Sequence, residues 1–390
     1  MSNVLRHRLE RGPLLTAVVY TGVGVLPLYL VSSQVLQIER EIGFGVAQLG
    51  LATATFFGAA ALAANVGGGI VSRFGAPVGI RLGSATTIVA CVLAGLATVW
   101  WMIPVAMVIG GMGNGIIQVA SNIAIFDGVR RGRQGVAFGA KQASVPMASI
   151  LAGLSLPAIG LVFGWRWVFA GAAALALGLA ISAPRLDRHP GQRRVEERLG
   201  RPARSMIWLA LAGITGAAAG NGLAIFIVPS AVDIGIAEAA AGAVLATCSL
   251  LVVGLRIGVG WLVDARQSSG HVQMAWLTGF GALGALVLMT AATPEVYLVA
   301  MPLALLGAWG WPGIIFFTLV NTYPEFPAKA SGLLLSGNLT GTLLGPMVVG
   351  AFAGRGNYPG AWLFVAICAA LATIGFVAAR RTTEPARLSR

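Results

Sequence analysis

Long intervals without any charged residue constrain the fold of this 390-residue chain more than any other feature. A helix needs about 20 apolar residues to cross the hydrocarbon core of a bilayer. Only 10% of the residues are charged and 57% are hydrophobic, too little charge to cover a soluble domain of this size. The charge-free intervals are 12–38, 42–72, 82–126, 142–165, 167–184, 205–232, 239–255, 272–294, 296–324, 330–354 and 356–379.

Two of these intervals need interpretation before the spans can be counted. The interval 82–126 is too long for one helix, and the segment from Trp100 to Pro104 divides it. The interval 239–255 is short, and it reaches a spanning length when its helix continues through Arg256 to Val263. The sequence therefore predicts an all-α membrane protein with twelve transmembrane helices.

The basic residues are distributed unevenly along the chain, whose formal net charge is +13. If the N-terminus is cytoplasmic, the two tails and the even-numbered loops hold 22 of the 26 Lys and Arg residues. An excess of this size sets the orientation of a membrane protein. Both termini are therefore predicted to be cytoplasmic, in a multi-pass protein of the inner membrane. Because topology explains the positive charge, no nucleic-acid partner is expected.

The two halves of the sequence repeat several short motifs. Residues 185–204 form the only long polar stretch, and they separate the first six predicted spans from the last six. Gly68-Gly-Ile-Val-Ser and Gly260-Trp-Leu-Val-Asp are 192 residues apart, and Ala137-x-Gly and Ala330-x-Gly are 193 apart. We therefore predict two pseudo-symmetric six-helix bundles, 1–184 and 205–390, with a cytoplasmic linker at 185–204. Parallel repeats of this kind are a known transporter plan, with the substrate site between the repeats near the midplane.

These motifs resemble those of the major facilitator superfamily. The segment Gly68-Gly-Ile-Val-Ser72-Arg73-Phe-Gly75 is similar to that family's loop between the second and third helices, with Ser72 in place of the usual acid. The later copy keeps the acid as Asp264 and has Ala265 where an Arg would follow. The resemblance implies the major facilitator fold and a cytoplasmic gate. It assigns gating roles to Asp264 and Arg73, with Asp264 as the acid that locks the gate.

Two segments are similar to particular branches of that family. The segment Arg256 to Asp264 resembles the eighth helix of oxalate–formate and monocarboxylate porters. The segment Phe138 to Pro146 resembles the fifth helix of porters grouped near cyanate and nitrate transporters.

Arg256 is the first candidate for contact with a substrate. It precedes Asp264 by eight residues, so it lies about 12 Å inside the predicted cytoplasmic boundary. A charge at that depth is costly and indicates function. The guanidinium group suits a carboxylate or another oxyanion. The alternative role is structural, in which Arg256 donates to backbone carbonyls and braces its helix.

Lys141 is the second cation to consider, and its depth depends on where the fifth helix begins. An early start places it about two turns deep, where the family fold would let it share an anion with Arg256. A late start lets it reach the cytoplasmic surface or pair with Asp264. By the repeat offsets, Leu334 corresponds to Lys141 and Ala64 corresponds to Arg256. Neither cation is repeated in the other half, so any anion site is asymmetric.

Neutral side chains complete the predicted substrate site. Each of the polar ones has an alternative role in joining helices to each other. Trp309 and Trp311 lie in the middle of the tenth span on different faces, so we expect one of them to line a cavity. The residues assigned to substrate binding besides the two cations are Tyr20, Asn114, Gln118, Asn221, Trp309 and Asn338.

The acidic residues are all placed outside the span interiors, which bears on the class of substrate. A transporter of cations would be expected to keep a carboxylate in its cavity. Two cations without buried acids favour an anion. We therefore predict a secondary transporter of a small carboxylate-type organic anion, coupled to protons in symport or to a counter-anion in antiport.

Two other functions are alternatives to this one. Export of a hydrophobic drug or metabolite would use a broad apolar pocket around Phe56, Phe57, Trp309 and Phe316. A membrane receptor or assembly factor that transports nothing would have a closed core. The glycine-rich segment Gly110 to Gly115 indicates close helix packing and not a phosphate-binding loop. No catalytic residues, metal site or cofactor are expected, the protein is not expected to be an enzyme, and a monomer in the bilayer suffices.

Overall fold

The described residues of the computed structural model form helices. It describes the backbone at residues 3–130, 134–181, 204–265, 270–315, 318 and 327–388. Side chains are described within that backbone except at 3–11, 134–135, 260, 263–265, 327–333, 335–336 and 384–388. The chain divides into two compact units, Met1–Arg193 with Glu238–Ala246, and Arg194–Ala237 with Thr247–Arg390.

The first unit is built from six long helices. Gly75 is the single residue between the second and third of them, and its φ of 87° is one that glycine adopts readily. The fifth helix continues past Ser155 as a π-helical turn, Leu156–Gly160, and a last turn, Leu161–Phe163. The helices are α1 (Asn3–Ile42), α2 (Val46–Phe74), α3 (Ala76–Gly95), α4 (Met102–Gly128), α5 (Gln134–Ser155) and α6 (Trp165–Ile181).

The second unit follows the same plan. Its helices are α7 (Arg204–Asp233), α8 (Glu238–Ala265), α9 (His271–Met289), α10 (Pro294–Gly310), α11 (Pro327–Ala353) and α12 (Tyr358–Leu388). The first nine residues of α8 pack with the first unit and the rest with the second. Most of the predicted linker 185–204 lies outside the described residues.

The helix boundaries agree with two interpretations of the sequence. The interval 82–126 contains two helices, and the gap between Gly95 and Met102 overlaps the predicted division at Trp100 and Trp101. The helix predicted from 239–255 continues through Arg256, as α8 extends to Ala265. Ten helices in the described part of the chain are long and apolar enough to cross a membrane, and α6 is a shorter apolar helix. A multi-pass membrane protein is confirmed, whereas the total of twelve spans and the side of the termini stay predictions.

Helix pairings recur between the two units. In the first unit, α1 packs on α4 and α5, and α3 packs on α4 and α6. In the second unit, α7 packs on α10 and α11, and α9 packs on α10 and α12. Each of these pairings in the first unit therefore has its counterpart six helices later in the second. The shared pattern is what a duplicated six-helix sequence would produce.

Glycine seams hold the most tightly packed helix pairs together. A Cβ at Gly111 or Gly115 of α4 would overlap the carbonyl oxygen of Phe56 or Ala60 in α2. A Cβ at Gly341 of α11 would likewise overlap the Ile214 carbonyl oxygen of α7. Small residues let membrane helices approach closely enough for backbone contact. The predicted packing role of the glycine-rich segment 110–115 is thereby confirmed.

Candidate functional site

Lys141 is buried in the first unit, with 3% of its surface exposed. Helix α5 begins at Gln134, seven residues earlier, which is the early start that places Lys141 deep in the helix. Its Nζ donates to Asn122 Oδ1 at 2.5 Å and to the Gln118 carbonyl oxygen at 3.4 Å, both on α4. The ammonium group therefore does not reach the surface, and both of these partners are neutral.

Three amide side chains form a polar stripe along α4, next to Lys141. Asn114, Gln118 and Asn122 are spaced four residues apart, so they lie on one face of the helix. Asn122 was not among the predicted site residues. Its spacing of four from Gln118 and eight from Asn114 is the signal that could have found it. Asn122 is the amide of this stripe that accepts a hydrogen bond from Lys141.

Asn114 occupies the buried end of this stripe, with 4% of its surface exposed. Its Oδ1 has no hydrogen-bond partner among the described residues. Gly24 of α1 lies directly against it, since a Cβ there would come within 3.4 Å of the Asn114 Oδ1. The two ends of an amide are assigned from their hydrogen bonds, so a donor could occupy the same position. Asn114 is thus a buried amide with capacity to bind a ligand.

Tyr20 lies elsewhere in the first unit and has a hydrogen-bond partner in the protein. Its hydroxyl donates to the Leu179 carbonyl oxygen of α6 at 2.5 Å. The ring packs in an apolar cluster with Val71, Ile80 and Ile117. The hydroxyl thus joins α1 to α6.

Arg256 is buried in the second unit, with 6% of its surface exposed. Its Nη2 donates to the Trp309 carbonyl oxygen at 2.6 Å, and its Cζ lies 5.3 Å from the centroid of the Trp309 ring. Gly313 approaches the side-chain stem, since a Cβ there would lie 3.4 Å from the Arg256 Cβ and Cγ. The hydrogen bond to a carbonyl is the contact expected of a brace.

The two mid-span tryptophans have different surroundings, as their spacing predicts. Trp309 stacks near Arg256, whereas Trp311 packs in the apolar core of the second unit against Phe376, with ring centroids 5.5 Å apart. The Trp311 Nε1 donates to the Ala308 carbonyl oxygen at 2.9 Å. Trp311 is therefore a core residue, and Trp309 is the one beside the buried cation.

Asn221 and Asn338 belong to the contact between α7 and α11. The Asn221 Nδ2 donates to the Ala217 carbonyl oxygen at 3.0 Å and to Thr342 Oγ1 at 3.2 Å. Thr342 Oγ1 in turn donates to the Asn338 carbonyl oxygen at 2.8 Å. The structure brings these two predicted residues together through Thr342, in an arrangement that joins helices.

The predicted gate is described only in part. Arg73 is exposed, and its Cζ lies 5.2 Å from the ring centroid of the adjacent Phe74. The Asp264 side chain lies outside the described residues, although its backbone ends α8. The gating roles of both residues stay predictions.

The buried charges share one sign. Where burial is described, Lys141 and Arg256 are the buried Lys and Arg residues, and no Asp or Glu is buried. In the same described part of the chain, no three His, Cys, Asp or Glu residues group as a metal site would require. What the geometry offers is two buried cations, each in its own unit, with amide or aromatic neighbours.

A sequence profile of the Major Facilitator Superfamily matches residues 14–327, most of the chain. The chain belongs to the major facilitator superfamily. This membership confirms the predicted family and a function of the transporter type, in a family of transporters and not of enzymes. It does not select among the oxalate–formate, monocarboxylate and cyanate branches.

Solved structures support the same superfamily fold. The D-xylose-proton symporter is 14% identical with a TM-score of 0.77, and the alignment covers 96% of this chain and 97% of that one. A bacterial homologue of the human lysosomal transporter Spinster, in an inward-facing and unoccupied conformation, is 18% identical with a TM-score of 0.74. That alignment covers 98% of this chain and 99% of the other. At these identities the likeness concerns the fold alone. No curated protein sequence matches this chain.

Proposed function

We propose that this superfamily member is a secondary active transporter of a small carboxylate-type organic anion. It works by alternating access in the inner membrane, with twelve spans and both termini in the cytoplasm, and a monomer is sufficient. Symport with protons and antiport against a second anion both fit the proposal, as does descent from the oxalate–formate, monocarboxylate or cyanate branches.

The proposal depends on the sign of the buried charges. A buried ammonium or guanidinium group without a carboxylate is unfavourable unless something anionic or strongly polar compensates it. Lys141 has a neutral amide and a carbonyl as its partners in the first unit. A bound carboxylate would supply the missing negative charge through charge-assisted hydrogen bonds. A cationic substrate would instead meet like charge.

Each residue has a separate role in this proposal. Lys141 binds the anion in the first unit, and the amides of Asn114, Gln118 and Asn122 orient it through hydrogen bonds. Arg256 is the main anion ligand, and Trp309 fixes its guanidinium group through a backbone carbonyl and the indole ring. Asn221 and Asn338 keep α7 and α11 aligned. Asp264 and Arg73 control access from the cytoplasm.

Thermal stabilisation of the purified full-length protein by added ligands tests the proposal. The panel contains mono- and dicarboxylates, inorganic oxyanions and lipophilic cations at one ionic strength. We expect a carboxylate to raise the melting temperature of the wild type. Lys141→Gln and Arg256→Gln should each lose that increase, because each removes one charge-assisted contact. Arg355→Gln, which removes an exposed arginine, should keep it.

The same panel separates binding from bracing at Arg256. A brace would lower the melting temperature of Arg256→Gln without ligand and leave the ligand-induced increase unchanged. Stabilisation by lipophilic cations alone, equal in all variants, would overturn the anion proposal and favour a drug exporter. A carboxylate that raises the melting temperature of the wild type but not of the Lys141 and Arg256 variants should then be taken up by proteoliposomes containing the wild type.

A further inference from the structure

A groove on the surface of the second unit runs between α9 and α12. It has a volume of about 590 Å³. Trp276, Phe280 and Leu283 form its α9 wall, and each exposes more than half of its side-chain surface. The Trp276 and Phe280 rings stack with their centroids 6.0 Å apart. The groove is separate from Arg256 and from every residue of the proposed transport site.

The floor of the groove contains a glycine and a threonine whose hydroxyl is already hydrogen-bonded. A Cβ at Gly279 would make only an ordinary van der Waals contact with Thr373, at 3.8 Å. Thr278 Oγ1 and Thr373 Oγ1 share a hydrogen bond of 2.8 Å, which satisfies both hydroxyls. Phe376 covers the base near the last turns of α12. The middle of the groove thus offers an apolar channel to whatever lies in it.

One end of the groove is strongly basic. Arg380 and Arg381 of α12 are exposed there, beside the start of α9 at His271. Among the described residues that line the groove, none is Asp or Glu. Both arginines belong to the basic tail that the charge distribution predicts to be cytoplasmic. An occupant of complementary chemistry is therefore anionic at this end and apolar along the rest.

The length of the groove matches one leaflet of a bilayer. From His271 to Leu283 the wall rises by twelve residues of α9, about 18 Å at 1.5 Å per residue. One leaflet contributes about 15 Å of hydrocarbon, half of a core about 30 Å thick. A phospholipid whose headgroup lies at Arg380 and Arg381 would place its acyl chain beside Trp276, Phe280 and Leu283.

We propose that this groove is a binding site for an anionic phospholipid of the surrounding bilayer. Arg380 and Arg381 bind the phosphate and the headgroup, as basic residues do at the surface of an anionic leaflet. The stacked aromatic pair holds one acyl chain against α9. The site distinguishes anionic from zwitterionic lipids because only the former bring net negative charge to the two arginines.

Lipid binding to the full-length protein in detergent tests this site. The probes are a phosphatidylglycerol and a phosphatidylcholine with the same acyl chains, with bound lipid counted by native mass spectrometry. We expect the wild type to prefer phosphatidylglycerol. The double variant Arg380→Gln/Arg381→Gln should bind it roughly tenfold to thirtyfold more weakly, the loss expected for two basic residues near a surface. Its binding of phosphatidylcholine should not change.

Two matched controls make the result specific to the groove. Arg81→Gln/Arg355→Gln removes two exposed arginines elsewhere and should retain the wild-type preference. Trp276→Ala should weaken the binding of both lipids by a similar factor. Trp261 lies outside the groove and is 71% exposed, and Trp261→Ala should weaken the binding of neither lipid.

Three outcomes would overturn the proposal. One is equal retention of the two lipids by the wild type, and another is an equal loss in both arginine double variants. The third is a rise in melting temperature with inorganic phosphate that is as large as the rise with phosphatidylglycerol. Such a result would indicate a simple anion effect. Melting temperatures in lipid-free detergent show that each variant is folded before its lipid binding is compared.

Discussion

The two units of the protein share four of their helix pairings but differ in their buried charges. In the first unit, Lys141 of α5 meets amide and carbonyl groups of α4. The repeat-related position in the second unit is Leu334, which is buried in an apolar cluster with Trp311 and Ile315. Conversely, Arg256 of α8 corresponds to Ala64 of α2. The packing of the helices is repeated while the polar side chains are not, so the chemistry depends on a few residues placed on a symmetric frame.

The largest loss of stability is expected when a lysine is introduced into the second unit at Leu334, the position that corresponds to Lys141. Leu334→Lys places an ammonium group in the buried apolar cluster that contains Trp311 and Ile315. We expect the free energy of unfolding to fall by about 3 kcal/mol or more, because a buried charge would lack compensation. Melting temperature and folded yield in detergent measure this.

Leu334→Met is the matched control, since it keeps the apolar character and nearly the volume of leucine. We expect it to behave like the wild type. If Leu334→Lys were as stable as Leu334→Met, the apolar cluster would not distinguish the two units.

A smaller effect is expected from removing the acceptor of Lys141. Asn122→Leu leaves the ammonium group with the Gln118 carbonyl oxygen, and it should lower the free energy of unfolding by about 1–3 kcal/mol. In a Lys141→Met background the same substitution should cost at least about 1 kcal/mol less, because the two residues are coupled. Thermal unfolding of the four proteins gives the coupling energy.

Asn65→Leu provides the comparison for that cycle. Its amide is on the exposed face of α2 and donates to Ala61 of the same helix. We expect a change within about 0.5 kcal/mol. A coupling energy near zero for Lys141 and Asn122 would mean that the charge is compensated by other groups.

The glycine seams should respond alike in both units. Gly341→Ala in α11 and Gly111→Ala in α4 each force a Cβ against a carbonyl oxygen of the neighbouring helix. We expect each to destabilise its unit by about 1–3 kcal/mol through overpacking. Gly254→Ala has open space around it and should be neutral or slightly stabilising. A tolerated Gly341→Ala combined with a damaging Gly111→Ala would mean that the two backbone contacts are not equally tight.

The smallest effect is expected at a partly exposed ion pair. Arg40 at the end of α1 pairs with Glu238 at the start of α8, with their side chains 62% and 15% exposed. Glu238→Gln should change the free energy of unfolding by at most about 1 kcal/mol, less at high salt, because solvent screens such pairs. Glu295→Gln, at an exposed acid, serves as the control for loss of one charge. An effect above 2 kcal/mol that persists at high salt would indicate a buried role.

Much of the helical framework could be predicted because charges are excluded from membrane interiors. The intervals between charged residues gave the helices, and the division near Trp100 and the extension of α8 past Arg256 agree with the structure. The different surroundings of Trp309 and Trp311 also followed from helical periodicity, which places neighbours two apart on different faces. These features depend on residues close together in the sequence.

Contacts between distant segments could not be predicted in the same way. The pairing of Lys141 with Asn122 depends on the vertical register of α4 against α5, which no sequence pattern fixes. The hydroxyl of Tyr20 is occupied by Leu179, and a carbonyl partner of this kind has no signal in the sequence. The groove between α9 and α12 likewise joins residues about a hundred positions apart.

The glycine seams also affect how each unit can move. Shear motions of packed helices are accommodated by side chains that change rotamer as the helices slide. Between α7 and α11, and between α2 and α4, backbone meets backbone at Gly341 and Gly111, where no side chain is present to rearrange. Sliding by even part of a helical turn would bring a bulkier residue against a carbonyl. These pairs should therefore behave as single stiff elements during transport, and hydrogen exchange along their contact should be the slowest in the protein.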